Sequence, residues 1–327
     1  MSTRIILDCD PGHDDAMAIL LAHGLEDIEL AAITTVAGNH PVELTTLNAL
    51  RLCTLANITN VPVAAGCAAP LIRELVTAPE IHGTTGLEGH VWDEPAMRAV
   101  DEHAVDVIID LVRESPGEIT LVPTGPLTNI AVALRKEPRI AQQVREVVLM
   151  GGAYTRGNTT PAAEFNIYVD PEAAAIVFDA GWPLTMIGLE VTHMALATDA
   201  VIDRIERTGS EVGRAAAGML RFYQEQQLRE HGIAAPAVHD PCTVARVARP
   251  ELVPCREARV DIEVAGRFTS GMTVTDFRRR EGTRFNANVG VGLDAEGFWN
   301  LFVGALERPA SEPPPSRPAS GRGAARL

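Results

Sequence analysis

A chain of 327 residues that is 46% hydrophobic and 22% charged has the composition of a packed globular enzyme, not of a fibrous or disordered chain. Its formal net charge of -15, from 43 acidic against 28 basic residues, argues against a nucleic-acid partner, because phosphate backbones are held by clustered Lys and Arg. The one lysine, Lys136, stands in the charged run Leu134-Arg135-Lys136-Glu137, which leaves Schiff-base chemistry without a candidate. The five cysteines (Cys9, Cys53, Cys67, Cys242, Cys255) show neither zinc-site pairing nor the density of a disulfide scaffold, and read as reduced thiols. No apolar run reaches the roughly 18 residues of a membrane span, so no membrane partner and a cytoplasmic location are expected.

In chain order, short apolar runs alternate with helical patterns. Residues 4–7 are strand-like and 14–23 helical; 29–36 are strand-like and 43–56 helical. The rhythm returns at 119–122 and 129–136, at 146–150, and at 171–180 followed by 183–189. Residues 201–230 read as one long helical stretch whose polar second half suits a cap over a site. Two late strands, 258–264 and 272–275, extend the sheet or form a small hairpin. This alternation predicts an α/β fold with a mostly parallel central sheet, helices on both faces and an open Rossmann-like core. Residues 1–307 are expected to form one domain, and 308–327, rich in Pro, Ser, Gly and Arg, a disordered tail.

In such sheets ligands gather beyond the carboxyl ends of the strands, so polar residues just after each strand should converge. They are Asp8, Asp10, Asp14 and Asp15 after the first strand, Asn39 after the second, Thr124 after 119–122, and the Gly-rich stretch leading to Asn166 after Met150. Four carboxylates in Asp8-Cys9-Asp10-Pro11-Gly12-His13-Asp14-Asp15 repel one another unless a cation or hydrogen-bond donors hold them. An acidic helix start explains Asp14 and Asp15 but not Asp8 and Asp10. A hard divalent ion explains all four. An EF-hand is excluded, because Ile19 stands where its bidentate Glu belongs. A phosphatase with a nucleophilic Asp would want a phosphate-binding lysine, for which Lys136 is badly placed.

These residues resemble the inosine-uridine preferring nucleoside hydrolase family. The likeness begins with the aspartate run and continues through Ala37-Gly38-Asn39, His82-Gly83 and Pro123-Thr124-Gly125-Pro126-Leu127-Thr128-Asn129. It runs on through Met150-Gly151-Gly152, Glu164-Phe165-Asn166 and His239-Asp240-Pro241, over about residues 4 to 305. The resemblance implies that Asp10, Asp15, Asp240 and the carbonyl of Thr124 ligate Ca²⁺, with Asp10 also the general base on the metal-held water. It further implies that Asp14, Asn39, Asn158, Glu164 and Asn166 hold the ribose hydroxyls, and that the chain is a homodimer or homotetramer.

Asn39 and Asn158 also read as turn-forming Asn beside Gly, and Phe165 reads equally as core packing or a sugar contact. The departing base needs a proton or a hydrogen bond, for which His82, His239 and His231 are the candidates. Gln227 and His231, four apart, share a face of the cap and can meet the base edge. His13 and Gln227 are similar to the pyrimidine-preferring members of the family; Tyr223 and His231 depart from some of them. With 4% aromatic residues, no ring-lined pocket for a purine is evident. The expected reaction is hydrolysis of ribonucleosides, pyrimidines favoured, to ribose and free base. The alternatives are a metal-dependent nucleotide phosphatase and a non-catalytic nucleoside- or calcium-binding module.

Overall fold

The computed structural model describes residues 2–282 and 284–307. Among them nine strands form one sheet: β1 (Thr3–Cys9), β2 (Ile28–Thr35), β3 (Val63–Ala65), β4 (Ile119–Pro123), β5 (Glu146–Met150), β6 (Leu184–Ile187), β7 (Cys255–Ile262), β8 (Thr273–Asp276) and β9 (Ala287–Gly290). Their order is β3-β2-β1-β4-β5-β6-β9-β7-β8. The sheet is parallel from β3 to β9, and β7 and β8 continue it antiparallel at one edge. The predicted α/β class and parallel sheet are what the chain adopts, and the two late strands both extend the sheet and pair with each other.

The central strands read as unbroken apolar runs because both faces are covered. On one face Ile5, Leu7 and Cys9 of β1 pack with the helices His13–Gly24 and Ala295–Leu306, including Phe298 and Phe302. On the other, Ile6, Leu121 and Leu149 pack with Ala104–Glu114, Thr128–Lys136 and Pro171–Phe178. The helix His13–Gly24 is buried from His13 to Ala22, all the way round, so its only polar residues near the sheet top, His13, Asp14 and Asp15, are buried with it.

The stretch 201–230 is two helices, Asp199–Glu206 and Glu211–His231. The break has a local cause: Gly209 takes φ +71 and Ser210 Oγ accepts from the Gly213 N–H at 2.9 Å, capping the second helix. β3 and β9, three and four residues long, are too short to carry a readable period. The expected tail, 308–327, lies outside the described residues. No helix among the described residues is long and apolar enough to cross a membrane.

Candidate active site

The chain beyond β1, β2, β4 and β5 delivers polar residues to one place. The chain leaves β1 through Asp10, Pro11 and Gly12 and enters the helix His13–Gly24, whose third residue, Asp15, turns back over its own N-terminus. Asp15 Oδ1 accepts from the Asp10 N–H (3.3 Å) and Thr124 Oγ1 (2.9 Å); Oδ2 accepts from the Gly12 N–H (3.1 Å) and Asn39 Nδ2 (3.3 Å). One carboxylate thus fastens together the turns after β1, β2 and β4.

Asp10 sits between two glycines. Asn39 donates its backbone N–H to Asp10 Oδ2 at 2.6 Å and its side-chain amide to the Asp10 carbonyl at 3.2 Å. A methyl group on Gly38 would lie 2.1 Å from Oδ2, and one on Gly125 2.6 Å from Oδ1, so only glycine lets both loops close on the carboxylate. Asp240 arrives from far along the chain, just before the helix Pro241–Ala248. Oxygens of Asp14, Asp15 and Asp240 lie within 4.8 Å of one another, all buried. Asp14, expected at the sugar, therefore belongs to the same carboxylate group as Asp15 and Asp240.

These acids are held at an energetic disadvantage. Burial, then the neighbouring charge of Asp14, pushes the Asp15 carboxyl up to about 7. Burial raises Asp10, with the Asp15 charge adding to it, and raises Asp240, with Asp14 and Asp15 adding. No ion pair among the described residues involves them, while Asp10 Oδ1 and Asp14 Oδ1 are buried without a hydrogen-bond partner. Hard, clustered oxygens with unused lone pairs fit a divalent cation. The Thr124 carbonyl accepts from Asn166 Nδ2 at 2.7 Å, which leaves its second lone pair.

Of the other expected residues, Glu164, Asn166 and His239 lie close to this group. Glu164 caps the helix Phe165–Val169, accepting from the N–H groups of Gly152, Asn166 and Ile167, and burial pushes its carboxyl up to about 7. Asn166 spans Thr124 and the Met150 carbonyl. Asn158 is exposed, its Oδ1 holding the Phe165 N–H at 3.0 Å; Phe165 is half-buried. His239 Nδ1 meets Thr192 Oγ1 at 2.7 Å, and burial lowers its ring to about 4.

The facing wall is aromatic, which composition did not suggest. His13 stacks on His82, Phe222 and Tyr223 with ring centres 5.7, 5.4 and 5.6 Å away, and His82 stacks on Tyr223 at 5.7 Å. His82 Nδ1 accepts from the His13 N–H at 3.3 Å, which leaves its proton on Nε2. Burial lowers both rings to about 3. Gln227 reaches Tyr223 Oη at 3.4 Å, whereas His231 is exposed at the helix end. His13 is marked in the sequence only by its likeness to pyrimidine-preferring members, and Phe222 and the buried His40 not at all. The adjacent rings Phe222 and Tyr223 on the cap helix are a visible signal, but their stacking partners are local to other segments.

A buried acidic cluster fit for a cation at the carboxyl ends of a parallel sheet, with a stack of rings beside it, defines an enzyme of the α/β class with a metal-ready site. The chain belongs to the inosine-uridine preferring nucleoside hydrolase family, whose model matches residues 5–300. It is 50% identical over 310 residues to the inosine-uridine preferring nucleoside hydrolase of Crithidia fasciculata, covering 94% of this chain and 98% of that one. It is 44% identical over 308 residues to the pyrimidine-specific ribonucleoside hydrolase RihA of Escherichia coli O9:H4, covering 94% and 99%. Among solved structures, the purine-preferring ribonucleoside hydrolase from Gardnerella vaginalis superposes with TM-score 0.88 at 35% identity over 93% of this chain and 98% of that one.

Proposed function

We propose that this chain hydrolyses the N-glycosidic bond of ribonucleosides, pyrimidine nucleosides favoured, with Ca²⁺ as its resident ion. The observation that carries the reading is the convergence of Asp14, Asp15 and Asp240 beside Asp10. Asp10, Asp15, Asp240 and the Thr124 carbonyl would hold the ion. When bound, such a cation lowers the pKa of water and anchors sugar hydroxyls. Its size and tolerance of irregular oxygen shells favour calcium.

The residues themselves do the rest. Asp10 takes a proton from the attacking water as the new C1′–O bond forms and the C1′–N bond breaks; the base departs with the electron pair of that bond, hydrogen-bonded by an N–H donor, and takes its proton from solvent. Positive charge growing on the ribose is offset by the surrounding carboxylates. Asp14, Asn39, Glu164 and Asn166 orient the hydroxyls; Asn158 and Phe165 would join them from the neighbouring loop. His82 and His239, both neutral at pH 7, serve the base as N–H donors. Gln227 reads its edge, and His231 approaches it from the end of the same helix.

Pyrimidine preference is supported by the likeness to RihA and by Gln227. A second reading, acceptance of both uridine and inosine, is favoured by the higher identity to the Crithidia enzyme and by the ring stack of His13, His82 and Tyr223. The domain is taken as 1–307, the assembly as a homodimer or homotetramer and the location as cytoplasmic. Incubation with uridine, cytidine, inosine and adenosine, with and without chelator, tests the proposal. Free reducing sugar supports it; phosphate released from a nucleotide, or nucleoside bound but intact, overturns it.

A further inference from the structure

Beneath the carboxylates, Asn129 uses its whole amide group. Nδ2 donates to Asp8 Oδ1 (2.8 Å) and to the Thr35 carbonyl (2.9 Å), and Oδ1 accepts from the Cys67 N–H (2.8 Å). Asp8 Oδ1 also accepts from Thr34 Oγ1 at 2.6 Å, and Asp8, Thr34 and Asn129 are fully buried. One side chain therefore joins β1, the end of β2, the chain after β3 and the start of the helix Thr128–Lys136.

Those segments carry the two walls of Asp10. The Gly38 wall follows directly from Thr35, and the Ala37 N–H donates to the Cys67 carbonyl at 3.0 Å. The Gly125 wall leads into Asn129, and the Thr124 N–H donates to the Asp8 carbonyl at 2.8 Å. Gly66 makes room for the hub: a methyl there would lie 2.3 Å from Asn129 Oδ1 and 2.5 Å from Nδ2.

We infer that Asn129, anchored on Asp8, is a positioning residue that sets the separation of the Gly38 and Gly125 walls and so aims the Asp10 carboxylate. The inference rests on the role proposed for Asp10. Groups one layer behind a cation site act on affinity and rate without touching the substrate. A small displacement of a reacting group is enough to lower a rate strongly.

Three variants test it. Asn129→Asp is nearly isosteric and keeps an acceptor for Cys67, but turns carboxylate oxygen toward Asp8 and the Thr35 carbonyl. Gly66→Ala changes no polar group but crowds the amide and the Thr35 carbonyl to which it donates, its methyl lying 2.5 Å from that oxygen. Asp8→Asn keeps an oxygen for Thr34 and Asn129, removes the charge and puts an amide NH₂ in place of the buried, partnerless Oδ2. Asn129→Asp and Gly66→Ala are expected to weaken Ca²⁺ binding, read by calorimetry with the metal alone, by about 10- to 100-fold. They should lower kcat on uridine by a similar factor with KM shifted less than about threefold, and Asp8→Asn should stay within about threefold of wild type on each measure.

Folded Asn129→Asp with normal Ca²⁺ affinity and kcat overturns the inference, as does Asp8→Asn being equally damaging. If Asn129→Asp does not fold, Gly66→Ala decides by the same readouts. A wild-type chain that binds Ca²⁺ yet leaves nucleosides intact would sink the functional reading, while the calorimetry would still decide the role of Asn129.

Discussion

The backbone N–H of Asn39 donates to Asp10 Oδ2 at 2.6 Å, while the other oxygen of the same carboxylate is buried with no partner. The two oxygens are thereby made unequal: one is anchored by the turn after β2, and the other is left open to the site.

From that asymmetry, Asp10→Asn should fold normally, because the amide oxygen can keep the Asn39 bond and the NH₂ group takes the open position. Turnover of uridine should fall at least about 10²-fold, a usual general-base contribution. Steady-state kinetics beside a thermal melt check this. A normal rate would remove Asp10 from the reaction.

The buried acids predict a pH-dependent response to calcium. Asp15 is raised from an ordinary 3.8 to about 7, so the folded, cation-free chain keeps a proton that the unfolded chain has already released across that window. Stability of the cation-free chain therefore falls as pH rises through it, and Asp10 and Asp240 act in the same direction. The lowered His13 and His82 rings act oppositely, from their ordinary 6.5 down to about 3, but largely cancel in a comparison with and without calcium. Bound cation replaces the protons, so Ca²⁺ should raise Tm more at pH 8 than at pH 5 and release protons on binding. An equal rise at both pH values would argue that the ion binds elsewhere.

His239, held by Thr192 at 2.7 Å, is aimed by a hydroxyl that carries no charge. If it assists the leaving base, His239→Ala should slow uridine cleavage far more than cleavage of p-nitrophenyl riboside, whose aglycone departs easily. Thr192→Val, which keeps the volume and removes the partner, should show the same pattern more weakly. Equal losses on both substrates would give the ring another job.

Ser210 offers a control away from the chemistry. Its hydroxyl caps the helix Glu211–His231 and also donates to the Leu306 carbonyl at 3.1 Å. Ser210→Ala should lower stability by about 1 kcal/mol in urea unfolding. The expected kcat on uridine is that of wild type, and a large drop would mean that the position of the cap helix limits turnover.

The amino-acid sequence alone carries the α/β rhythm, the acidic turn after β1, and the polar strand-end residues Asn39, Thr124 and Asn166. These are local properties, set by side-chain period and by turn chemistry within a few residues. It also pointed to Asp240, but only through likeness to a family, since nothing near that residue says which strand end it will face. Three-dimensional packing alone brings the oxygens of Asp14, Asp15 and Asp240 together, stacks His13, His82, Phe222 and Tyr223, and sets Asn129 against Asp8. Each of those contacts joins segments far apart in the chain, so it depends on the order β2-β1-β4-β5 and on the packing of helices across the sheet top. Hydrophobic burial selects that order through the whole core, and no single stretch of residues encodes it.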